Sequence, residues 1–362
     1  MDKKFFMGIA AMAALTLVSC SSDDLNSLSD NSSKNEAISF DGYLGRSAVA
    51  VNGSRGSVVD IKALQESTEG FGVFGNYSST AEGTPAYGNS LFKNQQVTYD
   101  KTKSKWTYSP LRFWPTQGHI DFLAYAPYHS QYDNIVTKDN QKLIFIVDSN
   151  IKNQKDLLYA NAVGQTKDNI SSTGNKVKFK FAHALSKLGY KVKLSGDYSS
   201  NATFNLTKIT LAGSPNGATK AFYTSGKIDL SKTNTASDLW SEYATARQNF
   251  DWFSGTSTVT GTVLKHPNDN RAENEDYLFV IPQDFSETGT DNLYVIVEYT
   301  ITYTSGVPAT VPNRVYKQLK QKFEPGKAYM INLTLGLPIE FDATVTDWER
   351  DTPIDCTEPW DR

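Results

Sequence analysis

Short runs of alternating apolar residues, separated by turns rich in Gly, Asn, Ser and Thr, recur along most of the chain. Clear examples are residues 70–77, the two runs within 95–108 that turn through 100–103, and residues 119–127, whose two faces are both apolar. A two-residue period is typical of β-strands, and no segment sustains the 3.6-residue period of an amphipathic helix. The pattern therefore predicts an all-β chain, with short helical turns only at 182–188 and 237–247.

The length of the chain favours two domains. Its 362 residues exceed what one ordinary core accommodates, and a polar stretch at 168–175 offers a boundary. The 19 Tyr, 19 Phe and 6 Trp residues supply large side chains for two β-sandwich cores. We therefore predict an N-terminal β-sandwich domain at 37–174 and a C-terminal β-sandwich domain, with a short polar tail, at 175–362.

The first twenty residues have the order of a secretory signal. Lys3 and Lys4 precede an apolar run at 5–18, and Leu17-Val18-Ser19 leads into Cys20. The run is too short to span a bilayer, which needs about 20 apolar residues. It resembles a bacterial lipobox, which predicts a signal peptide at 1–19 and acylation of the Cys20 thiol. The acyl chains would then anchor the protein in the lipid of the outer membrane. The alternative is a plain signal peptide with a chance cysteine.

Residues 20–36 are polar and acidic and include the pair Asp23-Asp24. Such a segment cannot bury enough apolar surface to order itself, so we predict a flexible acidic tether. An acidic pair just after the acylated cysteine resembles the signal that sends Bacteroidales lipoproteins to the outer face of the outer membrane, whereas a generic tether is the alternative. The predicted location is the cell surface, as an outer-membrane lipoprotein.

The composition and the motifs argue against catalysis. The formal charge is −3 and there is no basic stripe, so nucleic acid is not an expected partner. Phosphate-binding loops and nucleophile elbows are absent, and acylation of Cys20 would leave Cys356 as a lone thiol. The four histidines, His119, His129, His183 and His266, lack the spacing of metal ligands, and His183 is expected to be packed or hydrogen-bonded. We therefore expect no enzyme activity, no cofactor and no metal.

An ordered set of motifs runs through most of the chain. The motifs are Ile38-Ser39-Phe40 before Gly45-Arg46-Ser47-Ala48, Gly70-Phe71-Gly72-Val73-Phe74-Gly75, Phe113-Trp114-Pro115, residues 120–127, residues 177–188, residues 277–283, residues 325–329, and residues 339–348. Taken in this order, they resemble the Mfa-like fimbrillins, the type V pilins and related adhesins of Bacteroidales, for which an assembled fimbrium is a further expected location. The resemblance covers nearly all of the mature chain, and its specificity lies in the order of the motifs.

This resemblance implies two tandem β-sandwich domains of transthyretin-like topology on a protein exported as a lipoprotein. In polymerising members an arginine-specific protease cuts after the first strand. Loss of that strand opens an apolar groove, and a strand from the next subunit fills it by β-augmentation. Other pilin subunits are then the expected partners, and adhesive members add a host or bacterial surface ligand.

Carried onto this sequence, the first strand is 38–43, with Ile38, Phe40 and Tyr43 as the side chains removed from the core. The candidate cleavage site is Arg46–Ser47, and Arg55–Gly56 is the second candidate; an ordinary solvated loop arginine is the alternative for both. Residues 339–345 have the alternation of a donor strand, but they qualify equally as the last strand of the second domain. The tail at 349–362 contains Pro353 and Pro359 and is a poor donor.

Two functions remain open at this point. The first is a structural or adhesive pilus component at the stalk, tip or anchor position. The second is a non-polymerising surface lipoprotein that binds a glycan or host ligand, whose mark would be exposed aromatic platforms. Trp106, Trp240 and Trp252 are the candidates for such platforms, although core packing is the commoner role of tryptophan in β-sandwiches.

Overall fold

The computed structural model describes residues 36–44, 60–79, 89–132, 136, 140–233, 235–267, 277–304, 309–336 and 340–347, the last of these as backbone. Within them the strands are β1 (Phe40–Leu44), β2 (Phe71–Ser78), β3 (Asn89–Asp100), β4 (Lys105–Thr107), β5 (His119–Ala126), β6 (Lys142–Ile146), β7 (Leu158–Gln165), β8 (Val177–His183), β9 (Ser186–Leu194), β10 (Ala202–Ala212), β11 (Phe222–Tyr223), β12 (Ser225–Asp229), β13 (Trp240–Ser241), β14 (Arg247–Gln248), β15 (Phe250–Val259), β16 (Leu278–Val280), β17 (Gln283–Asp284), β18 (Tyr294–Tyr303), β19 (Ala309–Gln318), β20 (Lys322–Phe323), β21 (Lys327–Leu335) and β22 (Glu340–Asp347). One α-helix, α1 (Ile61–Glu66), and three single 3-10 turns, Ser130–Tyr132, Ile151–Asn153 and Ser171–Thr173, accompany them.

The N-terminal half forms a seven-stranded sheet in the order β1-β8-β7-β5-β2-β3-β4. β8 shows why its residues take this structure, since Val177, Phe179 and Phe181 are buried while Lys178 and Lys180 are exposed. β5 is buried along its whole length, which confirms the prediction that both of its faces are covered.

This sheet folds back on itself and encloses a core. β1 and β3 are far apart in the strand order, yet the ring centroids of Phe40 and Phe92 are 5.5 Å apart. Phe71 of β2 similarly contacts Phe181 of β8, three places away in the strand order, at 5.5 Å. A single sheet whose ends approach in this way buries its aromatic side chains as a sandwich does.

The C-terminal half is a sandwich of two four-stranded sheets. The first C-terminal sheet has the order β15-β10-β18-β19, and the second has the order β16-β9-β21-β22. The rings of Tyr190 on β9 and Trp252 on β15 lie 4.7 Å apart and join the two sheets. In the second sheet β21 runs parallel to β9 and antiparallel to β22, so β22 is an edge strand. The predicted all-β fold with tandem sandwiches is confirmed.

Strand pairing crosses the predicted boundary at 174/175 in both directions. β8 lies after that boundary but pairs with β1 and β7 of the N-terminal sheet. β6 lies before it but pairs with β12, in a three-stranded sheet of order β13-β12-β6. The polar stretch at 168–175 forms a 3-10 turn that ends at Gly174, with φ 75°, so polar composition marks a turn within the fold here and not a linker.

Both predicted helical turns are wrong. Residues 182–188 contain the end of β8 and the start of β9, and the buried Ala184 and Leu185 lie between these strands. Residues 237–247 contain β13 and the first residue of β14. The helix that does form, α1, was not predicted; its N-cap is Asp60, whose carboxylate accepts a hydrogen bond from the Ala63 N–H at 2.6 Å.

Candidate functional site: the first strand and its aromatic groove

The segment 36–44 is held on two sides by parts of the chain that are distant in sequence. On one side β1 pairs in parallel with β8, from Phe40 opposite Val177 to Leu44 opposite Phe181. On the other side the Ile38 N–H donates to the Arg112 carbonyl at 2.8 Å, and the Trp114 N–H donates to the Glu36 carbonyl at 3.1 Å. The segment therefore fills a gap between β8 and residues 112–114.

Side chains add to this backbone pairing. The Ser39 hydroxyl donates to the Asn175 carbonyl at 2.8 Å, and the Tyr108 hydroxyl donates to the Ile38 carbonyl at 2.8 Å. The same Tyr108 oxygen accepts the Arg112 N–H at 3.3 Å. Tyr108 thus connects the first strand to the loop that forms one wall of the gap.

Phe40 lies at the centre of an aromatic cluster. Its ring centroid is 5.4 Å from Tyr108, 5.5 Å from both Phe92 and Phe122, and 5.7 Å from Phe179. The contacts with Phe92 and Phe122 are edge-to-face, the geometry that the ring quadrupoles favour. One side chain of the first strand therefore contacts residues on β3, on β5, on β8 and in the 108–112 loop.

Alternation along the segment decides which side chains it contributes. Ile38 and Phe40 are 1% and 3% exposed, Gly42 is buried and Leu44 is half-buried. Tyr43 is 46% exposed, so the prediction that it belongs to the core is wrong. The register with β8 is regular, and a two-residue period then turns an odd-numbered residue away from the face that carries Ile38 and Phe40.

A small residue is required at position 42, which follows Phe40 on this face. A Cβ atom built on Gly42 would lie 3.1 Å from Cε2 of Phe181 and 3.6 Å from Cδ2. An alanine fits there if the Phe181 ring moves by a few tenths of an ångström, whereas a larger side chain overlaps the ring. The groove therefore selects a strand with a large, a large and then a small inward residue.

The remaining predicted site residues lie outside the described part of the chain. These are Cys20, Arg46, Ser47, Arg55 and Gly56. Arg46 is two residues after Leu44, where β1 ends. Of the groove itself, sequence reasoning found Ile38 and Phe40 but missed Tyr108 and Arg112, because nothing local in the sequence places their loop beside the first strand.

The three tryptophans considered as sugar platforms are core residues. Trp106, Trp240 and Trp252 are all buried. The Trp240 indole N–H donates to the Ala184 carbonyl at 2.9 Å, and Trp106 contacts the Tyr99 ring at 5.1 Å as well as Phe71. The packing interpretation is confirmed for all three.

The buried histidines form pairs with aspartates. His183 Nδ1 lies 2.6 Å from Asp156 Oδ2, and His119 Nε2 lies 3.2 Å from Asp121 Oδ2. His183 is therefore hydrogen-bonded, as predicted. Among the described residues no three His, Cys, Asp or Glu side chains are grouped as a metal site would require. No helix in the described part of the chain is both long enough and apolar enough to cross a membrane.

The fold and the site define a class: an all-β protein of tandem sandwiches whose N-terminal edge strand completes an aromatic core. A family model described as fimbrillin-like matches residues 59–348. The chain belongs to this fimbrillin-like family, which confirms the resemblance seen in the motifs, and it is a fimbrial protein of the cell surface.

Two known proteins are similar over their full lengths. The fimbrium subunit Fim1C of Phocaeicola vulgatus is 27% identical over 384 residues, which cover 96% of this chain and 97% of that protein. A crystal structure of a fimbrial protein from Bacteroides vulgatus matches with a TM-score of 0.62 at 19% identity, covering 86% of this chain and 99% of that one. The second similarity shows the shared fold.

Removal of the Phe40 ring is expected to lower the free energy of unfolding by about 3–5 kcal/mol in Phe40→Ala, since a buried aromatic side chain is lost and a cavity remains. Tyr43→Ala, on the opposite face of the same strand, is the matched control and should cost less than about 1 kcal/mol. Urea unfolding of the full chain measures both. Equal losses in the two variants would contradict the assignment of Phe40 as the central contact.

Alkaline pH is expected to weaken the attachment of the first strand. Burial raises the pKa of the Tyr108 hydroxyl above its usual value, against the lowering effects of the backbone hydrogen bond with Arg112 and of the Arg112 charge. The folded state thus binds the Tyr108 hydroxyl proton more tightly than the unfolded state does. The resulting contribution to the free energy of unfolding is complete below about pH 10 and is lost as the pH rises through the folded-state pKa. The gap in unfolding free energy between the unmodified chain and Tyr108→Phe should therefore narrow from about pH 8 to about pH 11. A constant gap would exclude this coupling.

Proposed function

We propose that this chain is a pilus subunit that polymerises by strand exchange. It reaches the cell surface as a lipoprotein acylated on Cys20, and an arginine-specific protease cuts it at Arg46–Ser47, with Arg55–Gly56 as the second site. The first strand then leaves, and residues 339–345 of a neighbouring subunit enter the groove. The observation that carries the proposal is that the chain contains two segments with the same pattern of inward residues.

The two segments correspond residue by residue. Residues 38–44 read Ile-Ser-Phe-Asp-Gly-Tyr-Leu, and residues 339–345 read Ile-Glu-Phe-Asp-Ala-Thr-Val. Both have isoleucine, phenylalanine, a small residue and an aliphatic residue at alternate positions. Because side chains alternate across a strand, one face of the second segment can present the same order of side chains to the groove as the first strand does.

The groove tolerates the differences between the two segments. Ala343 corresponds to Gly42, where one methyl group is at the limit of the space in front of Phe181. Asp342 corresponds to Asp41, which lies opposite Lys178 in the register with β8, so an opposite-charge pair is retained. Val345 replaces the half-buried Leu44 and removes one methylene from a site that is partly open to water.

Energetics favour refilling of an empty groove. Loss of the first strand removes Ile38 and Phe40 from the core, and each large buried side chain is worth about 1.5–3 kcal/mol. It also leaves the backbone of β8 without its neighbour on one side. The incoming strand restores both, and in return the donor gives up the pairing of an edge strand, β22 with β21.

Cleavage before assembly fits the position of the candidate bond. Arg46 follows β1 by two residues, so one cut separates the first strand from the rest of the chain without interrupting another described strand. The pairing partners of the first strand, β8 and residues 112–114, remain in the body of the protein. The groove walls are therefore retained after the strand is lost.

The processing step is tested by mass spectrometry of the N-terminus on protein taken from the native cell surface. We expect an N-terminus at Ser47, or at Gly56 if the second site is used. Arg46→Lys keeps the positive charge but removes the arginine, and it should abolish the Ser47 terminus. The charge-conserving exchange Lys62→Arg, which leaves both candidate sites intact, should leave the Ser47 terminus unchanged. If every molecule instead has acylated Cys20 as its N-terminal residue, the processing step is rejected and a non-polymerising surface lipoprotein is favoured.

The exchange step is tested with a synthetic peptide of residues 337–348 and protein that begins at Ser47. We expect binding that weakens at least about a hundredfold in the Phe341→Ala peptide, as loss of an aromatic anchor costs about 3–5 kcal/mol. The Thr344→Ala peptide, changed on the other face, is the matched control and should bind like the parent. Titration calorimetry measures all three, and uncut protein should bind none of them. Equal binding by the Phe341→Ala peptide would rule out this register.

A further inference from the structure

A cleft of about 780 Å³ lies along β15, well away from the first strand in the sheet arrangement. Residues 251–256 of β15 form one wall, and residues 149–152, which precede and begin a 3-10 turn, form the other. Lys220, Gln248 and Asn249 line the rest. The cleft thus follows six consecutive residues of one strand, so an extended chain can lie along it.

The wall formed by β15 is a sheet edge. β15 is the terminal strand of the first C-terminal sheet, and among the described strands only β10 pairs with it. Ser254, Gly255 and Thr256 are exposed, so this part of the edge is open to a neighbouring backbone. An unpaired edge of this length presents N–H and C=O groups that proteins usually pair or cover.

The charges of the cleft favour an acidic occupant. Lys152 and Lys220 line it, and within the described part of the chain neither ammonium group is in an ion pair. The one carboxylate on the β15 wall, that of Asp251, is already neutralised by the Lys208 ammonium at 3.0 Å. The side chains that line the cleft therefore carry a net positive charge.

The C-terminal tail has the matching chemistry. Residues 349–362 contain five carboxylate side chains and two arginines, a net charge of −3 before the terminal carboxylate is counted. Pro353 and Pro359 cannot donate ladder hydrogen bonds, but residues 354–358 between them are free of proline and read Ile-Asp-Cys-Thr-Glu. Five residues is the length of an ordinary strand.

A series of contacts links the start of the tail to the cleft. β22 ends with Asp347 opposite Lys327, and the adjacent Gly326 donates its N–H to the Leu185 carbonyl at 2.9 Å. Leu185 lies two residues after His183, and the His183 imidazole contacts Asp156. Asp156 in turn lies four residues after Lys152, which lines the cleft. The seven residues from Asp347 to the start of the 354–358 segment span up to about 24 Å when extended, which sets the distance over which this segment can reach.

We propose that the C-terminal tail of the same chain docks in this cleft, with residues 354–358 added as a strand to the free edge of β15. The tail gives β15 its second neighbour, and its carboxylates lie near Lys152 and Lys220. The prolines limit the added strand to the five residues between them. This docking does not depend on processing or strand exchange, because it concerns the subunit whose β22 pairs with its own β21.

Cys356, in the middle of the five-residue segment, makes the docking directly testable. In the full chain with Cys20→Ser, Cys356 is the only native thiol. Ser254→Cys or Thr256→Cys then places a partner on the β15 edge, where Cα atoms of paired strands lie about 4.5–5.5 Å apart and a disulfide can form. Val311→Cys is the matched control, because it is an exposed position on β19, the opposite edge of the same sheet.

We expect oxidised glutathione to produce an intramolecular disulfide to Cys356 at least about tenfold faster in one of the β15 variants than in Val311→Cys. Intact mass and non-reducing peptide mapping identify it. Adding Lys152→Glu and Lys220→Glu should slow its formation about fivefold, and high salt should have the same effect.

Two results would overturn the proposal. If Ser254→Cys and Thr256→Cys oxidise no faster than Val311→Cys, the tail does not lie along β15. If they form disulfide-linked dimers at a rate that rises with protein concentration, the tail of a second copy occupies the cleft. Binding of the residue 337–348 peptide to cut protein is unaffected by either result, so failure here is distinct from failure of strand exchange.

Discussion

The insertion of the Phe40 ring among four other aromatic rings is the contact on which the N-terminal half depends. It joins β3, β5, β8 and the 108–112 loop through a side chain that belongs to none of them. The strand that carries this ring has no hairpin partner, because both of its neighbours are more than sixty residues away in the sequence. A core is thus completed by a segment that is joined to the body of the protein through the connection after Leu44. One cut in this connection would detach the strand, and the core would then lose the Phe40 ring and its contacts.

The two halves of the chain are interlocked in ways that protect the rest of the fold from such a loss. β6 leaves the N-terminal half to pair with β12, and β5 packs on both faces, one toward the Phe40 cluster and the other toward the core shared with the C-terminal strands. The buried pair of His183 and Asp156 lies where the N-terminal sheet passes into β9. The groove walls are consequently held from behind by a second hydrophobic core, and they do not rely on the first strand alone for their shape.

Sequence patterns predicted the strands well, together with the inward positions of Ile38 and Phe40 and the two covered faces of β5. These features depend on alternation within one segment, which the sequence displays directly. The failure at Tyr43 has a local cause, because this residue is one position out of phase with Ile38 and Phe40. The failures at the two helical turns, and the strand pairing across residues 174 and 175, have a different cause. Whether residues 182–188 continue as strand, or whether β8 belongs to the first sheet, is decided by pairing with β1, β7, β16 and β21, which lie far away in the sequence. Tyr108 and Arg112 were missed for the same reason, since only the tertiary fold brings their loop to the first strand.

The parallel alignment of β1 with β8 has a consequence for symmetry. In the proposed exchange the acceptor site lies in the N-terminal sheet and the donor strand comes from an edge of the C-terminal sandwich, so the two surfaces of a joint are different. A joint of this kind is heterologous, and repeating it in one direction generates an open helical array wherever the rotation between subunits does not close into a ring. Because the pairing direction with β8 is fixed by the inward residues, every joint has the same sense. The resulting fibre is polar, with an unfilled groove at one end and an unused strand at the other, and these two ends offer different chemistry for initiation and for termination.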